Sequence, residues 1–553
     1  MKKKVNEWIN SYQSFTKKAY SPYTDKGIRK TGAFICNILF SVYLSAIVVF
    51  HNFAIFEPRL SIAVICGLVL FVFIYQIFKL LLVKHGEIFI SFSKERLRLS
   101  WKVFVISSLI IFVVYMINFL AHYPGGVSDD NIWQWAQVQS GNFDNWHPVI
   151  HTMIIWLVTR IVPRYAFFLA FQIFCFSLLS GYMAATLKAW GIKAGWMIAF
   201  IITILSTNTT RDIFLYAWKD TAFTVLLLCL AIYMVNIVLS DGKWLMKWYN
   251  VGAVAIIGAL ASIVRHNGIF FTIPMAILLI LLYRKATKNV YFTVAACVCV
   301  IFSIVYVIYP LANVRQNPSQ VYVESVGVPM TILGSVRAIT PEALDQQTAE
   351  FLSEIADDET WEEHFEFGNY NSIKFLASAS REVAKVPPAE LFFMTLRTMI
   401  NAPKESLLGV IELTRIVWNP LDWDYEIYEA SFPTRAKDTI WTEDEVEAMQ
   451  PIKDISRDVY SQYILPTINL LTPSRILTTL GLHMLLLILA GVYSVNRNLG
   501  AKALFLLIPS LAHNFGTMLL LCGPDYRFFH FNTVITLPLV IVLLARRSRK
   551  HQR

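Results

Sequence analysis

The chain has 553 residues, of which 56% are hydrophobic and 16% charged, with a formal net charge of +10 and a positive mean hydropathy. That composition excludes a water-soluble globular enzyme or binding module and describes an integral membrane protein. The net positive charge does not mark a nucleic-acid partner: residues 311–474 hold 26 acidic and 12 basic residues, a net of −14, so the remainder carries +24.

From the N-terminus, MKKKVNEW is basic and lacks the small-residue cleavage site of a secretory signal. Apolar runs of bilayer length, about 20 residues, predict spans near 31–53, 60–83, 103–122, 165–187, 217–239, 290–310, 475–495, 501–521 and 528–546. Shorter runs at 195–210, 250–264 and 268–283 bring the expected number to about twelve. Lys and Arg cluster in the N-terminal tail, between Lys79 and Lys102, at Lys188 and Lys193, at Lys243 and Lys247, at Arg284, Lys285 and Lys288, at Arg497 and Lys502, and in 546–553. The positive-inside bias assigns these to the cytoplasm, together with both termini, of a bacterial plasma-membrane protein. The parity requires the short apolar piece 149–163 to be interfacial or re-entrant. The seven cysteines sit in or beside apolar runs and read as small packing residues, with neither a disulfide framework nor zinc spacing.

The expected fold is an all-α polytopic membrane protein with an inserted, mainly helical extracytoplasmic domain. Residues 1–102 form a cytoplasmic tail and an N-terminal transmembrane hairpin, and 103–310 a membrane core with a first outer loop at 123–148. Residues 311–474 form the acidic insertion, and 475–553 the C-terminal helices and basic tail. Within the insertion, PEALDQQTAEFLSEIA and PPAELFFMTLRTMI pair a first-turn Pro with apolar residues at helical spacing, whereas WNPLDWDYEIYE reads as a loop.

Outside the insertion only twelve acidic residues remain, and Asp129, Asp130, Asp144, Asp212, Asp220 and Asp525 are expected on or near the outer face. Ionisable groups at the ends of spans are costly unless paired or hydrated, which makes them functional candidates. In YPGGVSDDNIWQWAQVQSGNFDNWHPVIHT, Ser128 is placed to cap a helix over Asp129–Val138. Asp129 and Asp130 then either complement the helix dipole or act as a base or a metal ligand. His147 either caps the helix that Pro148 begins or faces the same cavity. Lys219 and Asp220 form an interfacial anchor pair or part of a site, and Arg265 and His266 an ordinary turn or part of a site. Tyr526, Arg527 and His530 open the last span, where an Arg either snorkels to headgroups or holds a lipid-linked phosphate.

These parts suit group transfer from a lipid phosphate: a carboxylate takes a proton from an incoming hydroxyl, and cations or a divalent ion (Mg or Mn) stabilise the departing phosphate. The chain lacks GxxxxGK[ST], which argues against nucleotide sugars and ATP as substrates. On these residues the chain resembles the GT-C superfamily of polytopic glycosyltransferases, and more closely a bacterial branch with a YPG…SDD…HPV loop. The resemblance implies a GT-C-like bundle over about Val103 to Ala545 and a polyprenyl-phosphate sugar donor. It implies a cell-envelope glycan, lipid or protein as acceptor. It matches the acidic residue of the first outer loop to Asp129 or Asp130, the His-Pro segment to His147 and Pro148, the helix-opening basic–Asp pair to Lys219 and Asp220, and the late Arg–aromatic pair to Arg527 and Phe528. Two spans precede the matched core, and Val149 stands where the family often has a second Pro. The competing class is a transporter or lipid-linked glycan flippase, for which inverted repeats are expected; the sequence shows no such halves.

Overall fold

The computed structural model describes residues 27–52, 60–84, 90–93, 95–421, 462–463, 466 and 477–547. Its described part is built from helices, with one two-stranded parallel sheet, Ser91–Phe92 with Arg546–Arg547, and isolated bridges at Asp144–Arg315 and Glu366–Asn369. In chain order the helices that frame the site are α1 (Gly27–His51), α2 (Leu60–Lys84), α3 (Trp101–Ala121), α4 (Asp129–Ser140), α5 (Val149–Thr159), α6 (Tyr165–Ala189), α7 (Ala194–Ser206), α8 (Asn208–Ile213), α9 (Lys219–Leu239), α10 (Trp248–Ile263), α11 (Ile269–Tyr283) and α12 (Asn289–Ser303). After these come α13 (Tyr309–Leu311), α14 (Pro318–Ser325), α15 (Gly327–Ile339), α16 (Gln346–Ile355), α17 (Asp358–His364), α18 (Asn371–Lys374), α19 (Ala377–Lys385), α20 (Pro388–Asn401), α21 (Pro403–Trp418), α22 (Leu480–Arg497), α23 (Ala503–Met518) and α24 (Phe531–Leu544).

Eight helical stretches among the described residues are long and apolar enough to cross a bilayer: Phe34–His51, Trp101–Ala121, Tyr165–Ala189, Lys219–Leu239, His266–Tyr283, Asn289–Leu311, Leu480–Arg497 and Tyr526–Leu544. This is fewer than the expected twelve. The runs at 195–210 and 250–264 are α7 and α10, of 13 and 16 residues, and 501–521 is α23, of 16 residues with Pro509 inside. At 1.5 Å per residue such helices rise about 20–24 Å, short of a hydrocarbon core of about 30 Å. The described apolar part of α2 is Ser61–Ile77. The 149–163 piece is the 11-residue α5, half the length of a span.

Connections between the helices meet in two groups. In one, the basic connections meet: Leu97 N–H donates to Ala189 O at 2.8 Å, Arg546 N–H to Ile90 O at 2.8 Å, and Asn289 Nδ2 to Leu245 O at 2.8 Å, while Lys502 pairs with Asp241. In the other, the loop after α3 meets the stretch before α9, with Gly126 N–H donating to Leu215 O at 2.8 Å, and Asn145 N–H donates to Arg315 O at 2.9 Å.

Residues between Val323 and Met394 build a second buried cluster, with Met330, Leu333, Leu352, Trp361, Tyr370 and Leu391 at its centre and Cys522, from the loop before α24, packed into it. Part of the acidity of this region is capping: Asp345 Oδ1 accepts from Thr348 N–H and Asp357 Oδ1 from Thr360 N–H, each at 2.9 Å. Asp345 therefore starts α16 at Gln346 and leaves the expected helical start, Pro341–Ala343, as a separate 3-10 turn. Pro388 opens α20 as expected. α21 joins this cluster to the membrane helices by packing on both α15 and α22. The WNPLDWDYEIYE segment lies outside the described residues beyond Leu421.

Candidate functional site

The loop between α3 and α4 is held by glycines that let it approach other backbone closely. Gly125 has φ +107°, and a Cβ there would sit 2.1 Å from Leu169 Cδ1 and 2.9 Å from Leu215 O; a Cβ on Gly126 would fall 2.4 Å from the Tyr216 ring. Ser128 precedes α4 in an extended conformation, as expected of its N-cap. Its hydroxyl donates to Asn131 Oδ1 at 3.0 Å and accepts from Trp218 Nε1 at 2.8 Å. Trp218 stacks on Tyr216 with centroids 4.2 Å apart, so the start of α4 is locked to the residue preceding α9.

This lock brings four of the expected site residues together. Asp130 Oδ2 lies 3.0 Å from Arg527 Nη1 and 3.5 Å from Lys219 Nζ, and Oδ1 lies 3.9 Å from His147 Nε2. Lys219 Nζ donates to His147 Nδ1 at 2.9 Å. An ammonium only donates, so Nδ1 is the acceptor and the ring proton sits on Nε2, on the side of Asp130. His147 does not cap α5; Asn145 Oδ1 accepts the Val149 N–H at 3.3 Å instead. Arg527 is fixed from behind by Asp525, whose Oδ2 takes Nε–H at 2.7 Å and whose Oδ1 takes the Arg527 backbone N–H at 3.0 Å.

Arg265 and Asp220 form a second ion pair at 2.9 Å, with side chains only 6% and 1% exposed. Arg265 also donates to Phe528 O at 2.9 Å. The Phe528 ring lies 4.9 Å from the Arg265 guanidinium and 5.2 Å from that of Arg527, joining the two pairs by cation–π contact. Asp220, expected among the catalytic carboxylates, is buried against Arg265, with its side chain 1% exposed.

The other expected residues are placed differently. Asp129 is exposed on the first turn of α4. His266 lies at the exposed rim, 3.2 Å from Trp146 O. Tyr526 is buried. His530 is fully buried against Thr224, Oγ1 to Nδ1 3.2 Å, and its ring packs 6.0 Å from Phe214, deeper than the charged cluster.

Burial by itself raises the Asp130 carboxyl, but the charges of Lys219, Arg527 and His147 outweigh it and hold it well below the usual carboxylate range. His147 is pushed down to about 3, first by burial and then by the Lys219 charge. It is a neutral imidazole at pH 7. Asp130 is 26% exposed at the side chain, so these charges sit at the edge of solvent. The residues named for a divalent cation are Asp129 and Asp130. The oxygens of Asp130 already face two cations, and among the described residues no group of three or more His, Cys, Asp or Glu converges.

Sequence reasoning placed Asp525 among the outer-face carboxylates and paired Phe528 with Arg527, but gave no role to the aromatic neighbours Trp146 and Trp218. A signal was present: each of His147, Lys219 and Arg527 has an aromatic residue next to it in the chain. No protein-family model, curated protein or solved structure matches this chain, and the geometry carries the functional argument by itself.

Proposed function

We propose that the protein is a membrane glycosyltransferase of the GT-C type, moving a sugar from a polyprenyl-phosphate donor to a cell-envelope acceptor on the non-cytoplasmic side of the bacterial plasma membrane. The observation that carries this reading is the balance of charge in the cluster. Arg527, Lys219 and Arg265 face Asp130, Asp220 and Asp525, and of the three carboxylates Asp130 is the exposed one, at 26% against 1% and 9%.

An arriving phosphate therefore competes with one carboxylate only. It takes Lys219 and Arg527 from Asp130, with Arg265 adding charge from behind Phe528. Once its cations are shared with phosphate, Asp130 recovers basicity. The acceptor oxygen forms a bond to the anomeric carbon as the bond from that carbon to the phosphate oxygen breaks. The electron pair leaves on the prenyl phosphate, stabilised by the two cations, and the acceptor proton passes to Asp130. Neutral His147 holds the Lys219 ammonium in place. The prenyl chain stays in the lipid beside the apolar helices.

The test is transfer from a radiolabelled polyprenyl-phosphate sugar in proteoliposomes supplied with cell-envelope fractions. Arg527→Ala is expected to reduce turnover by about 10²–10³-fold, the usual effect of losing one electrostatic donor. Unchanged turnover in that variant, or donor lipid flipped between leaflets without release of prenyl phosphate, overturns the reading.

A further inference from the structure

On the same loop lies a second constellation that phosphate transfer does not use. Trp133 of α4 is 48% exposed, yet its indole is held in place: Nε1–H donates to Asp144 Oδ2 at 3.1 Å. The same oxygen accepts from Gln137 Nε2 at 3.1 Å, and Asp144 Oδ1 accepts the Trp146 backbone N–H at 3.0 Å. One carboxylate thus fixes two tryptophans, whose rings meet edge to face at 5.8 Å. Trp146 then stacks on His147 with centroids 4.6 Å apart, so the pair of indoles abuts the charged cluster directly.

An exposed indole fixed by a carboxylate needs a reason. A tryptophan that only anchors a protein at the membrane interface leaves its N–H for headgroups and water; here Asp144 occupies it. Fixing a large flat ring at an open surface removes the ordering cost that a ligand would otherwise meet. A pyranose with equatorial hydroxyls presents a face of axial C–H bonds that packs on an indole, while its hydroxyls need the carboxylate and amide groups found at this rim. Among those groups is Asn145, whose Nδ2 lies 3.5 Å from Gln316 Oε1.

We infer that Trp133 and Trp146, fixed by Asp144, form a carbohydrate subsite next to the phosphate cluster, and that the acceptor is a glycan of gluco-configured pyranoses and not a lipid or protein hydroxyl. The assignment of this subsite to the acceptor rests on the transferase reading; the binding of sugar does not.

The experiment uses the full chain in phospholipid nanodiscs without donor, titrated with cellotetraose and with chitotetraose and followed by calorimetry and tryptophan fluorescence. At least one tetrasaccharide is expected to bind with a millimolar or tighter dissociation constant. Trp133→Leu, which keeps an apolar side chain for lipid, is expected to weaken that binding at least about tenfold, or about 1.4 kcal/mol, while Trp133→Tyr retains most of it. Absence of binding to the unsubstituted protein at about 10 mM of either sugar, or equal binding by Trp133→Leu, overturns the subsite. Binding is read without turnover, so a protein that binds these sugars but transfers none sinks the transferase reading and leaves the subsite standing.

Discussion

Arg527 Nη1 lies 3.0 Å from Asp130 Oδ2 across 397 positions of sequence, and this ion pair joins the first polar loop to the mouth of the last apolar helix. Lys219 adds a third segment to the same carboxylate oxygen. A Lys at the first position of α9 opposes the helix dipole, an unfavourable placement that the Asp130 carboxylate offsets. Three helix ends are thereby tied at one carboxylate.

Asp129 and Asp130 are expected to separate sharply under substitution. Asp130→Asn removes the shared anion of Lys219 and Arg527 and the proposed proton acceptor, and is expected to lower sugar transfer by about 10²–10⁴-fold at normal expression. Asp129→Asn, on the exposed side of the same turn, is expected to retain transfer within about threefold, since surface substitutions rarely exceed about 0.5 kcal/mol. Radiolabel transfer in proteoliposomes reads both; equal losses in the two variants would remove the distinction between them.

The Arg265–Asp220 pair gives a stability prediction. Both side chains are nearly inaccessible, so Asp220→Asn leaves a buried guanidinium without its counterion, at a cost of about 3–5 kcal/mol. The double variant Arg265→Met with Asp220→Leu is expected to recover most of the lost thermal stability in detergent, because a packed apolar pair replaces the ions. It is not expected to recover transfer, since Arg265 no longer assists the phosphate.

His147 sets a pH dependence whose sign follows from its depressed value. Folded, the imidazole titrates at about 3, against 6.5 for the free side chain. Below about pH 6.5 the unfolded chain takes up a proton that the folded site refuses. The stability linked to His147 is therefore complete above that pH and drains away as pH falls towards 3. Asp130 is depressed as well, and its contribution is lost only below the ordinary carboxylate range, so the two windows do not coincide. Thermal midpoints between pH 7 and 4.5 are expected to fall less steeply in His147→Gln, whose amide still accepts from Lys219, than in the unsubstituted protein.

At Gly125 the prediction is structural. Its φ of +107° and the 2.9 Å approach that a Cβ would make to Leu215 O mean that Gly125→Ala strains the backbone by about 1–3 kcal/mol. It also pushes the loop away from the Tyr216–Trp218 stack that receives Ser128. Reduced thermal stability with a rise in the donor KM is the expected outcome, measured by unfolding in detergent and by transfer kinetics. A stable variant with unaltered kinetics would show that the loop's position does not matter to the site.

The apolar stretches, the division into basic and acidic populations, the helix starts at Ser128 and Pro388 and the four polar clusters were all legible in the sequence, because each depends on hydration or capping of residues near one another in the chain. Which members of those clusters would meet was not legible. Asp129 and Asp130 are identical groups one residue apart, about 100° apart around a helix; only the packing of α4 against Trp218 through Ser128 decides which one faces Arg527. Asp220 reads as a surface carboxylate until Arg265 covers it, and His147 reads as a helix cap until Asn145 takes that bond and Lys219 takes the ring. Local solvation preferences determine which segments enter the bilayer and which stay at its edge. The pairing of charges across hundreds of residues follows from close packing of whole helices, a sum over distant contacts that no local window contains.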